Sequence, residues 1–262
     1  MMLQARKLSF AYGSMPVLNE VDITIGPGIT AILGPNATGK STLLKCLCGI
    51  LKPRGAVALD ERELRSFTSE EVARRVSYLP QGFTPRAVLT VFETVLLGRL
   101  HQLAWCVKPD DTRRVERLLD EMGLSPIAGR YINELSGGQA QMVAIAQALV
   151  REPDVLLMDE PTSNLDLRHQ FEVCTLLRDV TAARGISTAI ALHDLNLAAR
   201  FADSVYVLQA GRVRCAGTPA AVLTADLIAE VYGVETQVLP DDEGRPIITV
   251  LGPTLTKRES TA

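Results

Sequence analysis

An α/β fold carrying an inserted helical block is the architecture this sequence predicts, and three observations predict it. Short apolar runs of strand length alternate with stretches of helical spacing from residue 29 onward. Two of those runs, 155–158 and 188–192, are continuously apolar, as suits parallel strands buried on both faces. Between them and an earlier run at 76–79, the stretch from about 85 to 150 holds little that reads as strand. Strand–helix alternation interrupted by helices alone implies a mixed, mostly parallel sheet with a helical subdomain set into it.

In order, residues 3–12 and 17–25 alternate like two antiparallel strands around the turn Gly13-Ser14, an N-terminal β-subdomain. A short apolar strand at 29–33 follows. A helix is predicted over 41–51, with Leu43, Leu44, Leu47 and Ile50 on its apolar positions. Residues 56–59 suit a further strand and 69–76 a helix. The run at 76–79 then ends at Pro80-Gln81. Helical spacing covers 90–100 and 110–123, the latter with Val115, Leu118, Leu119 and Met122 on one face. A helix over 167–184 separates the strands at 155–158 and 188–192. The runs 204–209 and 212–215 form a hairpin around Ala210-Gly211, and 253–262 reads as a mobile polar tail. The expected organisation is one domain over 1–235, its core from 1–84 and 151–235 and its helical subdomain from about 85–150. Residues 236–262 form a C-terminal extension.

Composition narrows the function classes. The 262 residues are 47% hydrophobic and 22% charged, with a formal net charge of −3 and no basic stripe, so a nucleic-acid partner has no electrostatic support. No apolar run approaches the roughly 18–20 residues a membrane span needs, and the N-terminus lacks a signal-peptide core. Five scattered cysteines (Cys46, Cys48, Cys106, Cys174, Cys215) point to reduced thiols rather than a disulfide framework. Cys46 and Cys48 read as buried small apolar residues.

The motifs carry the chemistry. Gly34, Pro35, Asn36, Ala37, Thr38, Gly39, Lys40, Ser41 and Thr42 satisfy the P-loop pattern between a strand and a helix. Backbone N–H groups there converge on one concavity at a helix N-terminus, where phosphate is favoured. Lys40 suits the β- and γ-phosphates, and Ser41 one Mg²⁺ position. This reads as a triphosphate site on a P-loop NTPase core. The run 155–158 then delivers Asp159 and Glu160 at its C-terminal end, the edge where α/β ligands bind. Asp159 suits the metal and Glu160 the polarising of an attacking water. Ser136-Gly137-Gly138-Gln139, opening another helix after Leu135, makes a second anion-binding N-terminus.

A P-loop, then Leu135-Ser136-Gly137-Gly138-Gln139, then an apolar strand ending in Asp159-Glu160 resembles the nucleotide-binding subunit of ABC transporters, over roughly residues 3–235. The resemblance implies that Tyr12 stacks on adenine and that Gln81 is the Q-loop glutamine reaching Mg²⁺. It implies that Ser163 to Asp166 form the D-loop at a dimer interface and that His193 is the switch histidine of the γ-phosphate. His101 and His169 match no motif and are expected on the surface. It further implies a homodimer, or pseudo-symmetric dimer, in which Ser136, Gly137 and Gly138 complete the partner's ATP site. That dimer sits peripherally on the cytoplasmic face of the inner membrane. Integral-membrane permease subunits lie above it, a solute-binding protein acts indirectly, and no nucleic acid is involved.

Two departures from the family pattern stand out. Ala37 occupies a usual glycine position, and Ala140, Gln141, Met142 and Gln147 replace residues that are commonly basic. With one P-loop, one signature and no span, the chain is similar to importer subunits. The segments 90–99, 166–170, 193–198 and 217–219 are similar to ATPases of ferric-siderophore, haem and cobalamin uptake. Zinc and manganese importers share these features, and a soluble ABC ATPase acting on nucleic acid or the ribosome is the alternative from another class. Residues from Gln81 through 90–100, with Leu89, Val91 and Phe92, are expected to receive the permease.

Overall fold

The computed structural model describes residues 1–82, 88–99, 107–163 and 165–254. Its centre is a six-stranded sheet built of β3 (Gly28–Leu33), β6 (Val76–Leu79), β7 (Val155–Asp159), β8 (Ser187–Ala191), β9 (Ser204–Gln209) and β10 (Arg212–Gly217), in the order β10-β9-β3-β8-β7-β6. All its pairings are parallel except β9 with β10, the predicted hairpin. Every residue of β7 and β8 is buried. Alternate side chains enter different cores, which is why these strands read as continuous apolar runs. Leu156, Met158 and Ile190 join a core shared with the helical block, whereas Val155, Leu157 and Ala191 join one shared with the N-terminal sheet.

That second sheet is antiparallel, ordered β2-β1-β4-β5, with β1 (Leu3–Tyr12), β2 (Met15–Ile25), β4 (Arg54–Leu59) and β5 (Arg62–Glu63). Between the sheets lies α1 (Lys40–Leu47), shorter than the sequence predicts. Gly49 takes φ 77, a left-handed conformation that ends the helix and puts Ile50 outside it, 60% exposed. Next, α2 (Ser69–Arg75) is closed by a capping box of Thr68 and Glu71.

The inserted block contains α3 (Val91–Leu97), α4 (Pro109–Glu121) and α5 (Gly137–Leu149). Its one strand-like pairing among the described residues is the bridge Thr90–Tyr131. Val115, Leu118, Leu119 and Met122 are buried together as their spacing predicts. A buried ion pair, Arg99 Nε to Asp111 Oδ1 at 2.7 Å, ties the segment after α3 to α4. Gln147, where an arginine is common, donates to the Thr94 carbonyl at 2.9 Å and joins α5 to α3. Val91 is core and Leu89 and Phe92 are partly buried; residues 83–87 of the expected permease groove lie outside the described residues.

After β7 come α6 (Leu167–Arg184) and α7 (Leu195–Phe201), then α8 (Pro219–Val222) and α9 (Ala225–Tyr232). The C-terminal extension is not the featureless segment the sequence analysis leaves it as. β11 (Val234–Pro240) and β12 (Pro246–Pro253) form a hairpin that packs against α9 and α7. The sequence offered a signal, since Val234, Thr236 and Val238 alternate with Glu235 and Gln237, and Asp241 to Gly244 form a turn. The tail at 255–262 lies outside the described residues, as do His101 and Cys106. Cys46, Cys48 and Cys174 are buried free thiols, pushed up by burial to about 12, 11 and 12.

Candidate ATP site

The parallel strands β3, β6, β7 and β8 all end on one edge of the sheet, and that topology gathers the site. β3 runs into the loop 34–39 and α1; β6 leads to Gln81; β7 ends at Asp159; β8 leads to His193. Residues far apart in sequence meet because their strands are neighbours in register, with Asp159 opposite Ala191 and Leu79 opposite Met158.

Lys40 is 5% exposed, and its Nζ donates to the carbonyls of Gly34 at 2.7 Å and Pro35 at 3.1 Å. Burial lowers its pKa, while the charges of Glu160 and Asp159 pull it back up. A bound triphosphate would supply the negative charge this ammonium lacks in the loop. Thr38 donates to the Pro35 carbonyl at 2.9 Å and tightens the loop, whereas Asn36 and Ala37 are exposed. Ala37 has φ 61, so it stands in the left-handed region glycine would occupy freely.

Asp159, 3% exposed, accepts from the Ser41 hydroxyl on Oδ1 at 3.0 Å and from the Tyr78 hydroxyl on Oδ2 at 3.2 Å. Ser41 and Asp159 thus bring a hydroxyl and a carboxylate oxygen together, the donor type a hard cation would take. Few protein oxygens converge there, as suits Mg²⁺, which keeps waters and phosphate oxygens in its shell. Tyr78 is absent from the sequence-derived site. Its only signal was an aromatic in a short buried strand that also holds Ser77. Burial, then the Asp159 charge, raises its pKa, so the phenol stays a donor.

Glu160 has φ 50, an unfavourable conformation for a non-glycine residue. Three contacts hold it there. Its N–H donates to the Ala191 carbonyl at 3.1 Å, and its own carbonyl accepts from Ser163 N at 3.1 Å and Ser163 Oγ at 2.8 Å. Its carboxylate lies between Gln81, whose Nε2 donates to Oε2 at 2.6 Å, and His193, whose Nε2 pairs with Oε1. The three residues singled out for catalysis therefore meet in one cluster.

Tyr12 stands at the end of β1, 49% exposed and edge-on to Phe10 at 4.9 Å, its ring available for stacking. The signature is placed differently. Ser136 caps α5, its Oγ accepting from Gln139 N at 3.3 Å, while Gln139 Oε1 accepts from Ser136 N at 3.2 Å. Each side chain thus accepts from the other residue's backbone N–H, and neither reaches the cluster around Glu160. Asp166 caps α6, accepting from His169 N at 2.9 Å and pairing with His169 Nδ1 at 2.8 Å.

His169 lies at the surface as expected, its side chain about a third exposed, but it is engaged there. A Cβ on Gly138 would lie 2.2 Å from His169 Cδ2, so the ring rests directly on the signature glycine. The neighbouring Gln170 donates to the Leu165 carbonyl at 3.1 Å. Together they tie the D-loop segment to the signature within one chain; Asn164 of that segment lies outside the described residues.

The sequence profile of the family described as ABC transporter matches residues 18–163. The ferric enterobactin transport ATP-binding protein of Escherichia coli is 36% identical over 259 residues, covering 96% of this chain and 95% of that protein. The chain belongs to the ABC transporter family. It is an ATP-hydrolysing cassette of that family, with the P-loop NTPase fold. Among solved structures, a putative metal-chelate type ABC transporter in an inward-facing conformation matches with a TM-score of 0.83 at 27% identity. It covers 97% of this chain and 99% of its own. A dimeric bacterial ABC transporter cassette matches with a TM-score of 0.73 at 27% identity, over 83% of this chain and 98% of its own.

Proposed function

We propose that this ABC cassette powers an importer for metal chelates of the ferric-siderophore, haem or cobalamin kind. Two copies close head to tail around two ATP molecules beneath a separate membrane permease. The observation that carries the reading is Glu160, held between Gln81 and His193 at the end of β7 and next to the Asp159–Ser41 pair. A carboxylate so placed can polarise a water for attack on the γ-phosphate.

The remaining roles follow from position. Lys40 and the loop amides hold the phosphates, and Tyr12 stacks on the base. Ser41 and Asp159 hold Mg²⁺ through oxygen, with the Gln81 amide oxygen as a further donor. Mg²⁺ would neutralise charge developing between the β- and γ-phosphates. Ser136, Gly137, Gly138 and Gln139, with Asp166, complete the site of the opposite subunit, in keeping with the dimeric cassette this chain resembles. Closing that dimer converts binding energy into motion of the permease. Among the described residues no helix is long and apolar enough to cross a membrane. By its likeness to importer subunits, the chain is read as a peripheral subunit on the cytoplasmic face, its cargo supplied by a solute-binding protein. The chelate class rests on the likeness to the enterobactin relative and to the metal-chelate type transporter.

Purifying the chain from its native membranes tests this. A polytopic permease should come with it, and transport in vesicles should follow a ferric chelate. Co-purification with ribosomes or DNA would overturn the importer reading, and transport of bare zinc or manganese would overturn the chelate class.

A further inference from the structure

The C-terminal hairpin is tied to α7, the helix that follows His193. On β12, Ile248 is bracketed by a single side chain: Asn196 Oδ1 accepts from the Ile248 N–H at 2.8 Å, and Asn196 Nδ2 donates to the Ile248 carbonyl at 3.0 Å. The amide imitates a neighbouring strand. Backbone N–H and C=O of one strand residue point to the same side, so both Ile248 groups face Asn196 and away from β11. The Ile248 side chain, 6% exposed, joins the larger core with Val234 and Val238 packed on it.

Asn196 sits in the first turn of α7, and Asp194 caps that helix by accepting from Asn196 N at 2.8 Å and Leu197 N at 3.0 Å. His193 is the residue directly before the cap, and its Nε2 pairs with Glu160. The path from hairpin to catalytic cluster is therefore one side chain and one helical turn.

We infer that the hairpin β11–β12 is a positioning element of the ATP site, and that Asn196 transmits its position to His193. Asn196 and Ile248 touch no reacting atom; they act through the helix that carries the histidine. Released from β12, α7 loses an anchor at its first turn, and His193 is less often in place against Glu160. ATP affinity, set mainly by the P-loop and Tyr12, is left alone.

The test uses the intact transporter with Asn196→Ala, Ile248→Pro and the double variant. Ile248→Pro removes the N–H that Asn196 accepts while sparing the ladder to β11, since that N–H faces the other way. Amide exchange in 246–253 reports whether the hairpin is released. Each single variant should lower kcat by about 5–10-fold with the KM for ATP within about twofold, a range typical of coupling residues that do not touch ligand. The double variant should be no worse than either single. Should the proline disturb the hairpin itself, Asn196→Leu, which lacks both hydrogen-bonding groups, carries the same expectation. A released hairpin with unchanged kcat, or additive losses in the double variant, would overturn the inference. Because it rests on the role given to His193, His193→Ala is measured alongside. Full activity there removes that role, whereas loss there with no loss in the hairpin variants removes this inference alone.

Discussion

The two anion-binding ends of this molecule are in different states of readiness. At the P-loop edge, Lys40 is held by loop carbonyls, Asp159 by Ser41 and Tyr78, and Glu160 by Gln81 and His193, because four parallel strands end side by side and bring these groups to one edge. At the signature, Ser136 and Gln139 satisfy each other in a capping box on a helix of the inserted block. The first end is an assembled site. The second is a stable helix start whose donors must be redirected by a phosphate brought from outside. On the proposed function, a chain built this way would bind nucleotide by itself and need a second copy to finish the reaction.

The sharpest way to break the contrast is at the assembled end. Glu160→Gln keeps the shape and the contact with Gln81 but removes the base, so kcat should fall by about 10²–10⁴. ATP affinity should hold and a nucleotide-bound dimer should accumulate on size exclusion. A persistent monomer would count against the water-polarising role.

At the signature end, Gly138→Ala drives a methyl into the His169 ring. A misfit of this kind is worth about 1–3 kcal/mol, enough to cost roughly tenfold in hydrolysis, with ATP binding by the isolated chain unchanged. Adding His169→Ala empties the space and should restore part of the rate. If the double variant is as slow as the single, the ring is not what demands glycine there.

The smallest effect is expected at Ala37. Ala37→Gly relieves a left-handed alanine and should change stability by no more than about 1 kcal/mol. The dissociation constant for ATP should stay within about twofold. A larger change in affinity would mean that the alanine methyl shapes the phosphate cradle.

What could be read from residues alone was uneven for physical reasons. Strands β7 and β8 were plain because burial on both faces makes their side chains mostly apolar, with few polar exceptions such as Ser187 and Thr188. The motif residues were legible because phosphate binding demands a particular backbone at fixed spacing. Tyr78, His169 and Asn196 were not. Each acts through a partner 31 to 81 positions away, and such pairings exist only once the chain is folded. The end of α1 was missed because Gly49 overrides an apolar spacing that otherwise runs on to Ile50. The C-terminal hairpin was passed over because its outward side chains Leu239, Ile247, Val250 and Leu251 are exposed, which blurs the alternation that marks a half-buried strand.

The self-contained capping box of the signature has a genetic consequence. If each chain lends Ser136 to its partner's nucleotide and receives the same in return, no copy carries a whole engine. A defective allele expressed beside an intact one then spoils mixed assemblies as well as its own. A Glu160 variant, which folds, binds ATP and pairs, should suppress uptake when co-expressed with the intact chain, whereas a variant that cannot fold should be recessive.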